Sequence, residues 1–188
     1  MIRGWPPIGL TGLILLGLVV GKGSTPLDDW FFAVGERYPW LGRLLVFTDG
    51  RVILALWAVV LATVLIRRRW RPAAVVAVAP VVAVFSARFA KRVFGRFKGD
   101  SLAYPSGHTT LAVVVLGLCV VIAGAGMWSV VAALLAALLG VLGQAVTYHY
   151  FTDAIGAMFL GTALVCAAAW AGGLDRCQPR CDLDHSSS

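Results

Sequence analysis

Six apolar segments, separated by short polar turns, fill most of this 188-residue chain. They fall at residues 8–21, 52–66, 72–89, 107–125, 128–147 and 154–172. An α-helix needs about 20 apolar residues to cross the hydrocarbon core of a bilayer. The segments lack the alternation of apolar and polar residues that a membrane β-strand shows. Helices remain, because a helix satisfies its backbone hydrogen bonds internally even in lipid. We therefore expect an all-α, polytopic membrane protein, a bundle of six transmembrane helices whose first two segments are short and must borrow flanking residues.

The composition agrees with a membrane protein of one domain. Only 13% of the residues are charged and 60% are hydrophobic, whereas about a quarter of a soluble domain is charged. The net charge of +7 comes from residues between the apolar segments, where they meet lipid headgroups rather than nucleic acid. We assign residues 1–174 to the membrane domain and 175–188 to a short cytoplasmic tail, in which Cys177 and Cys181 form a weak metal or disulfide pattern.

Orientation follows from the sequence RRRWR at residues 67–71. Four arginines in so short a turn mark a cytoplasmic loop under the positive-inside rule. Both termini are then cytoplasmic, and residues 22–51, 88–106 and 148–153 face the outside of what we expect to be a bacterial inner membrane. Nine Lys and Arg nevertheless fall outside against seven inside. Long loops translocate regardless of charge, but the five cations between residues 88 and 98 need another reason.

Two stretches leave alternatives open. Residues 22–51 carry aromatic side chains among charges, which suits either a partly helical stretch at headgroup level or a solvated loop with aromatic anchors. Residues 1–20 have the length of a signal peptide, yet a typical cleavage site does not follow them, and an uncleaved first helix fits better. Both interpretations of the N-terminal stretch place residue 22 outside the cytoplasm.

Three polar patches open on the same predicted side of the membrane. ARFAKRVFGRFKGD at 87–100 offers cations, and YPSGHTT at 104–110 offers a helix start with a hydroxyl and a histidine. YHYFTD at 148–153 places His149 four residues before Asp153, so a carboxylate can fix the tautomer of an imidazole and leave its other nitrogen free to attack. Together they hold what phosphoryl transfer needs: cations, a nucleophile and an acid for the leaving oxygen.

Each patch alone has a plainer interpretation. Taken by itself, Ser106 is better explained as an ordinary helix N-cap, although the free amides of a helix start also bind phosphate and a glycine there permits close approach. Lys91 and Lys98 equally reach up to anionic headgroups. Thr152 or Asp153 equally caps a helix that begins at the membrane interface.

At these residues the chain resembles the type 2 phosphatidic acid phosphatase family, the membrane lipid phosphatases related to vanadium haloperoxidases. The family pattern runs Lys, six residues, Arg-Pro; then Pro-Ser-Gly-His; then Ser-Arg, five residues, His, three residues, Asp. KRVFGRFKG at 91–99 fits the first block with Lys98 in place of the arginine and a glycine in place of the proline. PSGH at 105–108 matches the second block, and His149 and Asp153 keep the spacing of the third.

The resemblance implies a six-helix fold and a phosphatase activity that needs no metal or other cofactor. It implies that His149 is the nucleophile that forms a phosphohistidine, that Asp153 orients it, and that His108 protonates the leaving oxygen. The groups implied to hold the phosphate oxygens are Lys91, Lys98, Ser106 and the amide of Gly107.

One departure from the family pattern concerns a phosphate-binding arginine. The Ser-Arg of the third block falls at Leu142 and Gly143, and the neighbouring Gln144 carries no charge. Lys98, in place of the arginine of the first block, also replaces a guanidinium that can bind a phosphate through two N–H groups with an ammonium that acts as a single point charge. We therefore expect an arginine of the first patch to supply the missing cation, with three candidates: Arg88, Arg92 and Arg96, of which Arg96 is placed among the phosphate-binding residues.

The leading interpretation is an integral membrane lipid phosphatase that acts at the extracytoplasmic surface. Polyprenyl phosphates or pyrophosphates, phosphatidic acid and phosphorylated lipid-linked sugars fit as substrates, and membrane lipids are the expected surroundings. The alternative is a non-catalytic membrane protein that binds or translocates lipid phosphates with a degenerate phosphatase site. The missing arginine favours that alternative.

Overall fold

The computed structural model describes residues 3–174; the tail, with Cys177 and Cys181, lies outside them. The described chain is a bundle of helices joined by short turns. In order, its elements are α1 (Trp5–Val20), α2 (Pro26–Arg37), a 3₁₀ segment (Pro39–Thr48), α3 (Gly50–Ile66), α4 (Trp70–Phe94), a hairpin of β1 (Phe97–Lys98) and β2 (Ser101–Leu102), α5 (Gly107–Ile122), α6 (Met127–Ala145) and α7 (Phe151–Ala171).

Each of the six apolar segments coincides with a helix. Four helical stretches of the described residues are long and apolar enough to cross a membrane, and they are Pro39–Ile66, Trp70–Phe94, Met127–Ala145 and Phe151–Ala171. The chain is therefore an all-α integral membrane protein. We expected the first two segments to be the short ones, but the short helices are α1 and α5. The second segment, in α3, is long enough because the 3₁₀ segment continues directly into α3.

Small and branched side chains hold the helices together, and larger apolar ones cover the outside. The main core cluster joins α3, α4 and α5 through Val64, Val76 and Val114, which are fully buried. On the outer surface Val19 is 83% exposed and Ile66 is 81% exposed. Apolar side chains this exposed would be costly in water, so these surfaces contact lipid.

The stretch between α1 and α3 is helical rather than an open loop. The helix α2 begins at Thr25, whose hydroxyl accepts from the Asp28 amide while the Asp28 carboxylate accepts from the Thr25 amide. This reciprocal capping box satisfies two amides that a helix start leaves open. The aromatic ring of Phe31 then stacks on that of Phe151 with centroids 4.2 Å apart, which fastens α2 onto the start of α7.

The chain alternates direction along the bundle, so that all three polar patches meet at one end. At the opposite end, Arg71 Nε donates to the Ala171 carbonyl at 3.0 Å, which joins the RRRWR turn to the end of α7. At the polar end, the Ser106 amide donates to the Asp153 carbonyl at 3.0 Å. The first patch is partly helical, because α4 continues to Phe94 beyond the apolar segment that ends at residue 89.

Candidate active site

A fully buried arginine lies at the centre of the polar end. Arg96, just before the hairpin, has no exposed side-chain surface, and its guanidinium lies between two carboxylates. Nη2 contacts Asp28 Oδ2 at 2.8 Å and Nη1 contacts Asp153 Oδ1 at 2.7 Å. Both carboxylates are also fully buried. The arginine thus connects α2 with α7 from the turn that follows α4.

The remaining donors of Arg96 are also occupied, which corrects its expected role. Nη1 also donates to Thr152 Oγ1 at 2.7 Å, and Nε and Nη2 both donate to the Gly23 carbonyl, at 3.1 and 2.7 Å. A guanidinium has five N–H donors, and all five are used. Arg96 therefore has no donor left for a phosphate. Its place is behind the site, where it fixes Asp153.

Asp153 presents its second carboxylate oxygen to His149. Asp153 Oδ2 lies 3.8 Å from His149 Nδ1, and the imidazole is 14% exposed. Neither atom has a hydrogen-bond partner, and buried polar atoms rarely stay unpaired. A closure of about 1 Å reaches hydrogen-bond distance. An N–H on Nδ1 then leaves the lone pair on Nε2, the nitrogen that is available to attack an electrophile.

His149 lies in the turn between α6 and α7, not on a helix. Its amide donates to the Gln144 carbonyl at 3.0 Å, so the end of α6 holds the turn. Helix α7 has Tyr150 as its N-cap and no side-chain cap. The alternative in which Thr152 or Asp153 caps that helix is thus not observed, because their side chains bond Asp28 and Arg96 instead.

The two histidines His108 and His149 line one cavity of about 500 Å³ at the polar end of the bundle. Five parts of the chain enclose it: the 3₁₀ segment, the start of α3, the hairpin, the start of α5, and the end of α6 with its following turn. The lining residues are Leu45, Thr48, Asp49, Gly50, Ser101, His108, Gln144, Tyr148 and His149.

The start of α5 supplies two free amides beside His108. Ser106 is the N-cap of this helix and is fully buried, and its Oγ accepts from the Thr109 amide at 3.4 Å. The cap interpretation of Ser106 is therefore the observed one. The amides of Gly107 and His108 belong to the first helical turn, which has no acceptor in the preceding residues. A Cβ built at Gly107 meets no atom within 4 Å, so an anion can approach the helix start there.

Both lysines of the first block are partly tethered to backbone. Lys91 Nζ donates to the Leu102 carbonyl at 2.6 Å, and Lys98 Nζ donates to the Tyr148 carbonyl at 2.8 Å. An ammonium has three donors, so one donor of each lysine is used in this way, and Lys98 Nζ also lies over the Phe32 ring, 3.8 Å from its centroid. Burial lowers the pKa of Lys98, and the carboxylates of Asp153 and Asp28 oppose that shift.

The other two arginine candidates point away from the site. Arg88 and Arg92 are exposed on α4 and do not line the cavity. Among the described residues that line it, lysine and arginine are absent, and Asp49 contributes a carboxylate. Besides Arg96, the two tethered lysines interact electrostatically with Asp153.

Close packing leaves no room for a side chain at residue 143, where the resemblance placed an arginine. A Cβ at Gly143 would lie 2.7 Å from both the Leu44 carbonyl carbon and the Leu45 amide nitrogen. These are backbone atoms of the 3₁₀ segment, which cannot move aside as a flexible side chain can. Backbone of the 3₁₀ segment thus occupies the space that a side chain at residue 143 would need.

We expect Gly143→Ala to destabilise the protein by about 1–3 kcal/mol, the usual cost of overpacking a core. Thermal unfolding of the detergent-purified protein measures the loss. Gly42→Ala in the facing 3₁₀ segment is the matched control, since its Cβ would lie an ordinary 3.6 Å from Thr147 Cγ2. Equal unfolding midpoints for the two variants would contradict the packing explanation.

Asp28 is the site residue that the sequence did not reveal. Its carboxylate accepts from the Thr152 amide at 3.0 Å and from Arg96. Burial raises the pKa of Asp28, but hydrogen bonds from Thr152, Thr25 and Arg96 outweigh burial and bring the pKa below its usual range. The spacing of Thr25 and Asp28 is a capping-box signature that locates the start of α2 but does not indicate its partner.

The chain matches no protein-family model, no curated protein and no solved structure. Within residues 3–174, no three His, Cys, Asp or Glu side chains come together in an arrangement that would hold a metal ion. The family resemblance thus depends on the motif residues themselves, and of these His108 and His149 line one cavity.

Proposed function

We propose that this protein is an integral membrane lipid phosphatase of the type 2 phosphatidic acid phosphatase kind, which hydrolyses a lipid phosphate or pyrophosphate through a phosphohistidine. One observation carries the proposal: His108 and His149 line the same cavity, and the second is backed by a buried carboxylate. Phosphoryl transfer to an imidazole requires this pair, a nucleophile with a fixed tautomer and a separate acid.

In the first step, Nε2 of His149 attacks phosphorus while the bond from phosphorus to the leaving oxygen breaks. Asp153 accepts the Nδ1–H hydrogen bond and stabilises the positive charge that develops on the imidazole. His108 gives its proton to the leaving alkoxide or phosphate. The free amides of Gly107 and His108 bind the phosphoryl oxygens, where charge accumulates in the transition state. Lys91 and Lys98 do not line the cavity, and they stabilise that negative charge from a greater distance.

In the second step, water attacks the phosphohistidine. His108, now neutral, takes the proton from that water as the bond between phosphorus and nitrogen breaks. Inorganic phosphate leaves, and both histidines return to their starting states. The same residue thus serves as acid and then as base, as microscopic reversibility requires.

We propose further that all six apolar helices span the membrane, with the cavity at the extracytoplasmic end. The four arginines of the RRRWR turn lie at the opposite end, as the positive-inside rule requires of a cytoplasmic turn. The helices α1 and α5 have 16 residues each, about 24 Å at about 1.5 Å per residue. The hydrocarbon core is about 30 Å thick, so α5 is shorter than the core. We propose that it falls short at its start, which would put the cavity just below the headgroups, within reach of a lipid phosphate.

Phosphate release from defined lipids tests the proposal. We expect the purified full-length protein to release inorganic phosphate from a polyprenyl pyrophosphate, phosphatidic acid or a phosphorylated lipid-linked sugar, at the same rate in EDTA as with added Mg²⁺. The reason is that the proposed nucleophile, acid and phosphate-binding groups are all side chains and amides of the chain. Loss of activity in EDTA that Mg²⁺ restores would contradict the mechanism.

A second candidate is a non-catalytic protein that binds or translocates lipid phosphates. All five Arg96 donors are bound within the protein, and Asp49 adds a negative charge to the cavity wall, which together weaken phosphate binding relative to an arginine-lined site. Saturable binding of lipid phosphates without phosphate release from any of the three substrate classes would favour this candidate.

A further inference from the structure

The buried cluster at the polar end carries more negative than positive charge. Asp28 and Asp153 each contribute one carboxylate, and Arg96 contributes one guanidinium. All three side chains have no exposed surface. In so buried a site charges are screened less than in water, so the balance among these three groups acts on His149.

The pair of Arg96 and Asp153 by itself would be electrically neutral. An imidazole facing a neutral pair gains less from the carboxylate than it would from a lone one, because the guanidinium behind it cancels part of the attraction. Asp28 changes this balance, since its carboxylate lies 2.8 Å from the other end of the same guanidinium. The cluster of three then keeps one net negative charge, and the oxygen turned toward His149 is Oδ2 of Asp153.

We propose that Asp28 is a positioning residue for the reaction: it balances the charge of Arg96 so that Asp153 keeps its negative charge toward His149. The consequence for catalysis rests on the proposed phosphatase function, but the electrostatic effect on His149 does not. Helix α2 thereby acquires a role beyond covering the site, because it brings the second carboxylate to the buried guanidinium.

The geometry supports a fixed rather than a casual contact. Asp28 Oδ1 accepts from the Thr152 amide at 3.0 Å, and Thr152 is the residue next to Asp153 on α7. Asp28 Oδ2 accepts from the Thr25 amide at 3.0 Å. The carboxylate is thus held by its own helix, by α7 and by Arg96 together, and its orientation is fully determined.

Other ionisable groups surround His149 and are unchanged in the test. They come from α5, the turn before α3, the hairpin, α4 and the turn of His149 itself, and they are His108, Asp49, Lys98, Lys91, Tyr148 and Tyr150. A shift that follows substitutions of the cluster alone is therefore attributable to the cluster.

The experiment follows the protonation of the His149 imidazole by NMR in the detergent-solubilised full-length protein with isotope-labelled histidine. The signal is assigned by its loss in His149→Gln. We expect Asp28→Asn to lower the titration midpoint by about one pH unit, because the neutralised cluster no longer favours the imidazolium. We expect Arg96→Gln to raise it by a similar amount, and the double variant Asp28→Asn/Arg96→Gln to return to the wild-type midpoint.

Asp29→Asn is the matched control. This variant removes a carboxylate from the same turn of α2, but Asp29 is exposed. The titration midpoint of His149 in Asp29→Asn should therefore equal that of wild type. The two single variants are expected to shift the His149 titration midpoint in opposite directions. If only one of them folds, that variant alone still tests the role of Asp28. An unchanged midpoint in Asp28→Asn, an unchanged or lowered one in Arg96→Gln, or a double variant unlike wild type would overturn the inference. The readout needs no turnover, so an inactive protein with the expected shifts would overturn the proposed function alone.

Discussion

Replacing His149 with alanine is expected to reduce phosphate release by roughly a thousandfold or more, the scale of losing a nucleophile. The loss should appear in kcat rather than in KM, because the amides of α5 that hold the phosphoryl group remain, as do the two lysines. Steady-state kinetics on a saturating lipid phosphate measure the effect. Added imidazole should restore part of the activity by entering the space that the side chain leaves.

The unfolding midpoint of His149→Ala should stay close to that of wild type. His149 lies in a turn and its side chain makes no hydrogen bond within the described residues, so little stabilisation is lost with it. A folded His149→Ala protein that keeps its activity would show that the nucleophile is a different residue.

Replacing Arg96 with leucine is expected to destabilise the protein by about 3–5 kcal/mol, the usual consequence of leaving one partner of a buried ion pair uncompensated. Here two carboxylates are left, those of Asp28 and Asp153, and the Gly23 carbonyl loses its donors as well. Thermal unfolding in detergent measures the loss. Arg92→Leu is the matched control, because Arg92 is an exposed arginine of α4 and its loss should cost little.

The stability of Arg96→Leu relative to wild type is also expected to depend on pH. Most proteins lose stability in acid, whereas this variant should regain part of its deficit there. Without Arg96 the Asp28 carboxylate loses a hydrogen bond that lowers its pKa and is left buried with the Asp153 carboxylate and no guanidinium between them, so the pKa of Asp28 in the folded variant would exceed the unfolded value. A group whose folded pKa is raised stabilises the fold as pH falls through that pKa. Part of the lost stability should therefore return below neutral pH. A deficit that is independent of pH would contradict the charge-pair explanation.

The fold was predictable from the sequence where it depends on the length of the apolar segments. Six apolar segments indicate six helices, since a chain in lipid must satisfy its backbone internally. The sequence could not decide between a loop and helices for residues 22–51. There the outcome depends on tertiary contacts such as the stacking of Phe31 on Phe151, and these join residues far apart in the chain.

The site was predictable where a motif fixes local spacing and not where distant residues meet. Spacing alone brings His149 near Asp153, and the helix start alone frees the amides after Ser106. In contrast, the partner of Arg96 is Asp28, which stands 68 positions away. A surplus of cations in a predicted outer loop indicates an anionic partner, but not whether that partner is a substrate or the chain's own carboxylates.

The most direct test of the phosphohistidine mechanism is an acid-free quench of the full-length protein during turnover of a lipid phosphate labelled with ³²P. We expect label on the protein that withstands alkali and is released by acid, as a phosphohistidine is. The label should be absent from His149→Ala and present in Asp29→Asn. Label that persists in His149→Ala, or a protein that releases phosphate while never carrying label, would contradict the account.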